Sequence, residues 1–420
     1  MPAPPQAPTM LRLASLVGFM WGAYFLNYSD RQAVFAMFKP LSNDLAMTDQ
    51  QLGLTGAVFL WVYGIGCPLA GQLADRVSKR LLVVLSLALW SVVTLAMGLA
   101  TSGLMLLALR AAMGVSESLY MPAAISLTAD STPPSLRSRA VALLTTAQIA
   151  GTVCGSWFGG WMAERGQWRG AFFALGAVGL VYALPYFAFL RGFPETTAAT
   201  DGDRPPQLSV AVLARVPTYA LLCVTFPVFV FGLWLLYSWL PEYLREKFSL
   251  GIADAAFTAT AYMQMATLVG LLLGGVLADR LFAWTRAARI WLLVASFLGC
   301  APCLHLIGAC QSLPAMTASL IGFGLASGFL MGNIFPAAFE VVPASTRASA
   351  VGVLNLFAAV ISGFAPLLGG MWRRTIGLER LMDYTSIAYL AGALLLVVAI
   401  IRFFPRDYAR AQDTLPGTDA

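Results

Sequence analysis

The sequence predicts an all-α integral membrane protein, with twelve transmembrane helices arranged as two pseudo-symmetric six-helix bundles. Three observations predict it. Of the 420 residues, 59% are apolar and only 11% charged, against roughly 25% charged in an average soluble protein. So few charges cannot cover a water-facing surface of this size. The apolar residues fall into twelve runs, and a helix needs about 20 such residues to cross roughly 30 Å of hydrocarbon. Finally, the last six runs repeat motifs of the first six in the same order.

Between polar breaks the spans read approximately 11–38, 50–74, 81–100, 103–129, 136–163 and 169–191, then 216–245, 251–279, 287–309, 311–338, 345–372 and 382–404. A Pro-rich tail, residues 1–10, precedes the first. It lacks the layout of a signal peptide, and the first run is too long to be one, so the tail is expected to stay on the protein. The first bundle is assigned to 11–191 and the second to 216–405. Between them lies 192–215, the longest polar connection, which holds Pro194, Glu195, Asp201, Asp203, Arg204, Pro205 and Pro206. Residues 406–420 form a second tail.

Orientation follows from Lys and Arg. An even number of spans places both tails on one side. The loops and tails of that side carry Arg12, Arg76, Lys79, Arg80, Arg137, Arg139, Arg191, Arg204, Arg215, Arg280, Arg286, Arg289, Arg347, Arg402, Arg406 and Arg410, sixteen of the 26 basic residues. The opposite side has eight. The positive-inside rule then predicts a multi-pass protein of the cell inner (plasma) membrane with both termini cytoplasmic. The net charge of +6 is thereby read as topology, and no nucleic-acid partner is expected.

The repeat is specific. Gly71-Gln-Leu-Ala-Asp75-Arg76 follows the second span, and Gly275-Val-Leu-Ala-Asp279-Arg280 follows the eighth. Pro122-Ala-Ala lies near the end of the fourth span, and Pro336-Ala-Ala near that of the tenth. Arg137-Ser-Arg-Ala-Val141 opens the fifth and Arg347-Ala-Ser-Ala-Val351 the eleventh, and both helices then reach a Gly-Gly pair, 159–160 and 369–370. A duplicated bundle of this design holds its substrate site near the midplane between the halves.

Several chemistries are excluded. A single histidine, His305, rules out multi-histidine metal sites. The cysteines sit in or at the ends of apolar spans, so no disulfide framework is implied, and Cys300-x-x-Cys303 reads as helix packing. There is no H-E-x-x-H, no G-x-S-x-G and no P-loop, so the chain is expected to be neither an enzyme nor an ATP-driven pump. No cofactor is expected beyond the proton as coupling ion, and nothing suggests an obligate oligomer; a monomer is expected.

Ionisable groups inside spans are costly, about 2.5–3.5 kcal/mol each at a helix centre, and are functional candidates by default. Asp30 and Arg31 on the first span and Arg110 and Glu117 on the fourth stand out. If the first helix ends near Phe38, Asp30 and Arg31 lie about 10–12 Å below the membrane boundary, and Arg110 lies at a similar depth. Glu117, two turns further along, is roughly 10 Å deeper. This reading pairs Asp30 with Arg110 and leaves Glu117 near the middle. A static network tying two helices together is the plainer alternative, but apolar packing would hold the helices without desolvating four charges. An acid that carries a proton and an arginine that holds an anion are what proton–anion symport requires.

Gly71-Gln-Leu-Ala-Asp75-Arg76-Val-Ser-Lys79-Arg80 resembles the loop signature of the major facilitator superfamily, and the resemblance covers about residues 11–405. It implies the major facilitator fold, alternating access, and a cytoplasmic latch built from Gly71, Asp75, Arg76, Lys79 and Arg80, with Asp279 and Arg280 as the second copy. The glycine is expected to permit close helix approach. Asn27-Tyr-Ser-Asp30-Arg31, Phe59-Leu-Trp61-Val-Tyr63, Arg110-x-x-x-Gly114-x-x-Glu117 and Trp234-x-x-Tyr237-x-Trp239-Leu-Pro241 are similar to motifs of the anion:cation symporter branch. That resemblance implies Asp30 and Glu117 as protonation sites, Arg31 as ligand of a substrate anion and Arg110 as coupling partner. Tyr24, Asn27, Tyr120, Gln148, Tyr237, Gln264, Asn333 and Asn355 are polar residues within spans that either line the substrate cavity or bridge helices, and the resemblance favours Tyr237, Gln264 and Asn355 as cavity residues. The expected substrate is a small organic anion, a sugar acid or other carboxylate, and membrane lipid is the other partner. The chain departs from the branch at Asp130-Ser-Thr-Pro-Pro134, where a Trp-Phe-Pro stretch is common. Spinster-like transporters share the Asn-Tyr-x-Asp-Arg and Arg…Gly-x-x-Glu elements. A lysolipid or amphiphile carrier and a proton-coupled drug exporter therefore stay open as alternatives.

Overall fold

A computed structural model of the chain describes residues 10–74, 77–131, 133–192, 210–343 and 346–413. Asp75, Arg76 and most of the 192–215 linker lie outside the described residues, as do 1–9 and 414–420. Among the described residues the chain is helical, with short turns and no strand.

The long helices follow the apolar runs. In the first half they are α1 (Met10–Ala33), α2 (Asp49–Ala74), α3 (Lys79–Gly98), α4 (Gly103–Ser118, resuming after Leu119 as Tyr120–Ser131), α5 (Pro134–Glu164) and α6 (Trp168–Leu190). In the second half they are α7 (Pro217–Phe248), α8 (Ile252–Phe282), α9 (Ala288–Ala309) and α10 (Leu313–Val341). There follow α11 (Arg347–Ser362, resuming as Phe364–Trp372) and α12 (Leu378–Val398). Among the described residues, ten helical stretches are long and apolar enough to cross a membrane. Outside this set, α1 carries the polar residues Asn27 to Gln32. The helix starts are encoded locally. Ser78 accepts from the Leu81 N–H and Ser102 from the Met105 N–H, each satisfying one of the orphan donors at a helix N-terminus. Pro134 opens α5 at a position where no N–H is needed. Pro68, Pro185, Pro227, Pro241, Pro302 and Pro336 lie inside helices that run through them, as helices in a membrane tolerate.

Two helix ends differ from the sequence reading. The chain beyond α1 stays helical through a 3₁₀ turn, Val34–Met37, and a short helix, Phe38–Asp44, rather than ending at Phe38. Beyond α12 a single π-helical turn, Ala399–Phe403, leads into a further helix, Phe404–Asp413.

By contacts the chain forms two compact units. One comprises the described residues up to Gly202 together with Ser249–Phe257; the other comprises those of Asp203–Phe248 and Thr258–Ala420. In the first unit α1 packs along α5, α2 along α4 and α3 along α6. In the second α7 packs along α11, and α9 along both α10 and α12. The repeated halves use the same device at one crossing. A Cβ on Gly114 of α4 would lie 2.8 Å from the Phe59 carbonyl of α2, and on Gly328 of α10 it would overlap the backbone of Thr267 and Leu271 on α8.

The α1–α5 crossing is the closest of those that position the buried charges. Gly151, Gly155 and Gly159, one helical turn apart, bring the backbone of α5 onto Phe25, Ser29 and Ala33 of α1, leaving no room for a Cβ. Small residues at such spacing permit helix contact where no hydrophobic drive between helices exists. Ser29 Oγ adds a bond to the Gly151 carbonyl at 3.3 Å. Gly155→Leu should therefore force α1 and α5 apart and destabilise the first unit by about 1–3 kcal/mol or more. Thermal unfolding of the purified protein checks this, with Gly18→Leu as the control, since a Cβ there meets nothing within 4 Å.

Candidate functional site

Because α5 fixes the rotation of α1 at Ser29, the next two residues project away from that crossing into the first unit. Both are buried, Asp30 1% and Arg31 4% exposed, and so are Arg110 and Glu117 on α4. The four ionisable residues predicted from sequence are thus brought together, but the pairing differs. Arg31 Nη2 meets Glu117 Oε2 at 2.7 Å, and its Nε reaches the same oxygen at 3.3 Å. The expected Asp30–Arg110 ion pair is not formed.

Depth along the helices accounts for the correction. The chain runs helically to Asp44, so Arg31 lies thirteen residues, roughly 20 Å, from that end. Glu117 lies fourteen residues, roughly 21 Å, from the start of α4 at Gly103. The two match in depth, whereas Arg110 sits nearer the end of its helix.

The surroundings of Arg31 are specific. Its guanidinium carbon lies 4.5 Å from the ring centroid of Tyr28, 4.7 Å from that of Phe59 and 4.9 Å from that of Tyr63. Asn27 Oδ1 accepts from Nη2 at 3.2 Å. An arginine desolvated among aromatic faces keeps its charge through their quadrupoles and through one carboxylate. Glu117 commits a single oxygen to it; Oε1 is buried with no partner. Arg110 is 0% exposed and donates from Nε to the Thr55 carbonyl at 3.0 Å and from Nη1 toward Met113 Sδ at 3.2 Å, while Nη2 has no partner. Its guanidinium lies 4.8 Å from the Phe59 centroid, so that ring serves both arginines. Asp30 Oδ2 accepts from the Thr94 hydroxyl at 3.3 Å, and Oδ1 is buried without a partner. Arg110 acts electrostatically on both Asp30 and Glu117 without an ion pair to either.

The remaining candidates divide. Tyr24 is buried and donates to Gln148 Oε1 at 3.4 Å, with its ring edge-on to Tyr28. The Tyr120 hydroxyl is spent on the Met20 carbonyl at 3.2 Å, which makes it a tie between α1 and α4. In the second unit Tyr237 and Gln264 are buried, and the Gln264 Nε2 has no partner. Asn333 donates within its own helix to Phe329, and Asn355 is exposed. His305 pairs with Asp383 at 2.7 Å, and Cys300 donates to the Phe323 carbonyl. Among the described residues no group of His, Cys, Asp and Glu suits a metal.

Of the expected latch, Asp75 and Arg76 lie outside the described residues. A Cβ on Gly71 meets nothing within 4 Å, so among the described residues this glycine serves no close approach. Arg80 Nη1 donates to the Leu190 carbonyl at 3.2 Å, at the C-terminus of α6, where a cation also meets the negative end of the helix dipole. Lys79 is half-buried at the first turn of α3. In the second copy Asp279 and Arg280 are exposed, and Asp279 lies 3.6 Å from Arg289, which also pairs with Glu340 near the end of α10. The sequence reading counted Arg289 as a topology charge and did not see Glu340. It also missed Thr94, Thr55 and Phe35 around the charges. Phe59 and Tyr63, one turn apart on a helix facing two arginines, were a signal that was available.

The model of the Major Facilitator Superfamily matches residues 20–366. The chain is 29% identical over 408 residues to a probable sulfoacetate transporter of Cupriavidus necator, covering 93% of each chain. It is 26% identical over 383 residues to an MFS-type efflux pump of Mycolicibacterium smegmatis, covering 90% of this chain and 87% of that one. A crystal structure of a bacterial homologue of the human lysosomal transporter Spinster, inward-facing and unoccupied, shares the fold. Its TM-score is 0.77 at 20% identity, over 98% of this chain and 100% of that one. A helical fold of apolar spans, a buried charge cluster on α1 and α4 and a family match over most of the chain agree: this protein belongs to the Major Facilitator Superfamily and is a multi-pass membrane transporter, not an enzyme.

Proposed function

We propose that the chain is a proton-coupled symporter of a small organic anion, a sugar acid, sulfonate or other carboxylate. One observation carries the reading: the buried pair of Arg31 and Glu117, 2.7 Å apart. Arg31 cannot release its proton, so the pair opens only if Glu117 takes one. Arg31 then needs another anion, and a substrate carboxylate or sulfonate supplies it. Before the exchange the site holds one cation and one carboxylate. Afterwards it holds one cation, one bound anion and a neutral acid, so the buried net charge is unchanged. Entry of either the proton or the anion alone would leave an uncompensated charge in low dielectric, which costs several kcal/mol. The two therefore move together.

In this cycle Asp30, with one carboxylate oxygen free of partners, is the relay through which the proton reaches Glu117. Arg110 holds the field on both acids and is the coupling partner. Tyr24 and Asn27 in the first unit, and Tyr237, Gln264 and Asn355 in the second, are proposed as substrate-binding residues. We also propose that the basic loops and both termini face the cytoplasm, in the inner membrane, and that the transporter works as a monomer. A fluorescent protein fused after Ala420 should then fluoresce while alkaline phosphatase fused there stays inactive, and the reverse pattern would invert the assignment. The similarity to a sulfoacetate transporter supports an anion as cargo. The buried pair of Arg31 and Glu117 favours anion uptake over the export that the similarity to an MFS-type efflux pump suggests.

The test is uptake into proteoliposomes of a panel of sugar acids, sulfonates and short carboxylates under an inward proton gradient. Accumulation of one class that collapses with a protonophore supports the reading. If folded protein accumulates none of them, lysolipids and exported amphiphiles take its place.

A further inference from the structure

Along α12 the exposed residues form a lipid-facing stripe, with Ile387, Leu390, Leu394, Val398 and Ile401 between 39% and 74% exposed. The stripe changes chemistry abruptly. Immediately after Ile401, at the π-helical turn, Arg402 begins a second series that continues with Arg406 and Arg410 at four-residue spacing, all three exposed. None makes an ion pair or hydrogen bond with a described residue. The opposite face of the Phe404–Asp413 helix, Phe404, Asp407 and Ala411, is buried. Its carboxylate has a structural partner: Asp407 Oδ2 accepts from the Thr218 N–H at 2.9 Å, satisfying an orphan donor in the first turn of α7. The helix contacts α10 as well. It is thus fixed to its own unit by one face, and presents three unneutralised guanidinium groups on the other, where an apolar span leaves the hydrocarbon.

We propose that Arg402, Arg406 and Arg410 form a binding surface for the headgroup phosphates of anionic phospholipids, such as phosphatidylglycerol. Guanidinium groups match phosphate oxygens in bidentate geometry. Each cation near an anionic leaflet contributes roughly a fivefold factor in binding. The depth suits the lipid that covers α12: its acyl chains lie along Leu394 and Ile401, and its phosphate is level with Arg402.

The test compares the full chain with a variant carrying Arg402→Gln, Arg406→Gln and Arg410→Gln, in nanodiscs of phosphatidylcholine mixed with phosphatidylglycerol. Native mass spectrometry counts the retained anionic lipid. The wild type should retain phosphatidylglycerol in preference to phosphatidylcholine, and the triple variant should lose on the order of 100-fold of that preference. Equal retention by the two proteins would overturn the proposal. So would a wild type that shows no preference, which needs no variant to fold. As a second measurement, a photo-crosslinking residue placed at Arg406 should capture phosphatidylglycerol, and one at the buried Ala411 should not. Capture of phosphatidylcholine alone at Arg406 would count against it.

Discussion

Glu117→Gln is expected to bind the organic anion without needing a proton and to lose concentrative uptake. In the wild type, ionised Glu117 competes with the anion for Arg31, so anion binding should weaken as pH rises and strengthen as pH falls. Glutamine is close to isosteric with the neutral acid and cannot ionise, so the competition is removed. Anion affinity should then stay at its acid-side level across pH. Accumulation under an inward proton gradient should fall to equilibration, while counterflow exchange of labelled for unlabelled anion persists. Equilibrium binding and uptake, measured at several pH values, separate these effects. A Gln variant that still accumulates anion in a pH-dependent way would remove Glu117 from its role. The empty variant should also be less stable, because removing one partner of a buried pair costs about 3–5 kcal/mol. Bound anion should restore much of that loss, visible as a larger ligand-induced rise in Tm than in the wild type.

Arg31→Ala should lose anion binding by on the order of 100-fold, equivalent to about 3 kcal/mol, the scale of a charge-assisted hydrogen-bonded contact in a buried site. Lysine at this position should rescue only part. It keeps the charge but loses the planar fork that meets two oxygens and lies among the rings of Tyr28, Phe59 and Tyr63. A purely structural role would give a different pattern. Both substitutions would lower Tm, yet whatever protein remained folded would bind anion with unchanged affinity. The Ala variant should remain foldable because Glu117, freed of its partner, can become neutral by taking a proton.

Much of the fold was legible in the sequence because a membrane imposes one dominant rule, that every span be long, apolar and helical. Among the described residues the apolar runs place the long helices to within a few residues at most of their ends. The misjudged ends were those of α1, where Lys39, Ser42, Asn43 and Asp44 read as a polar break although the chain stays helical to Asp44, and of α12, beyond which the chain stays helical to Asp413. The one-residue interruptions at Leu119 and Gly363 were equally invisible, since the apolar pattern continues across both.

The buried charge cluster was legible in its members but not in its pairing. Buried charges stand out against an apolar background, so Asp30, Arg31, Arg110 and Glu117 could be named from sequence. Which of two adjacent residues on α1 faces α4 depends on helix rotation, and neighbours on a helix differ by about 100°. That rotation is set by α5, through Gly155 against Ser29, a contact between residues 126 positions apart that no local pattern encodes. The depth error at the end of α1 then compounded the choice by placing Arg31 level with Arg110 instead of Glu117. Arg80 shows the same limit. Its loop position gives no sign of the Leu190 carbonyl of α6 that it meets.

The central claim is that Arg31 exchanges Glu117 for the substrate anion only when Glu117 accepts a proton. Calorimetric titration of the purified transporter with its anion, in two buffers of different ionisation enthalpy at equal pH, measures the protons taken up on binding. The account predicts uptake of about one proton per anion at a pH where Glu117 is ionised, by linkage between the two binding events, and none in Glu117→Gln. Anion binding by the wild type with no proton uptake at any pH would contradict it.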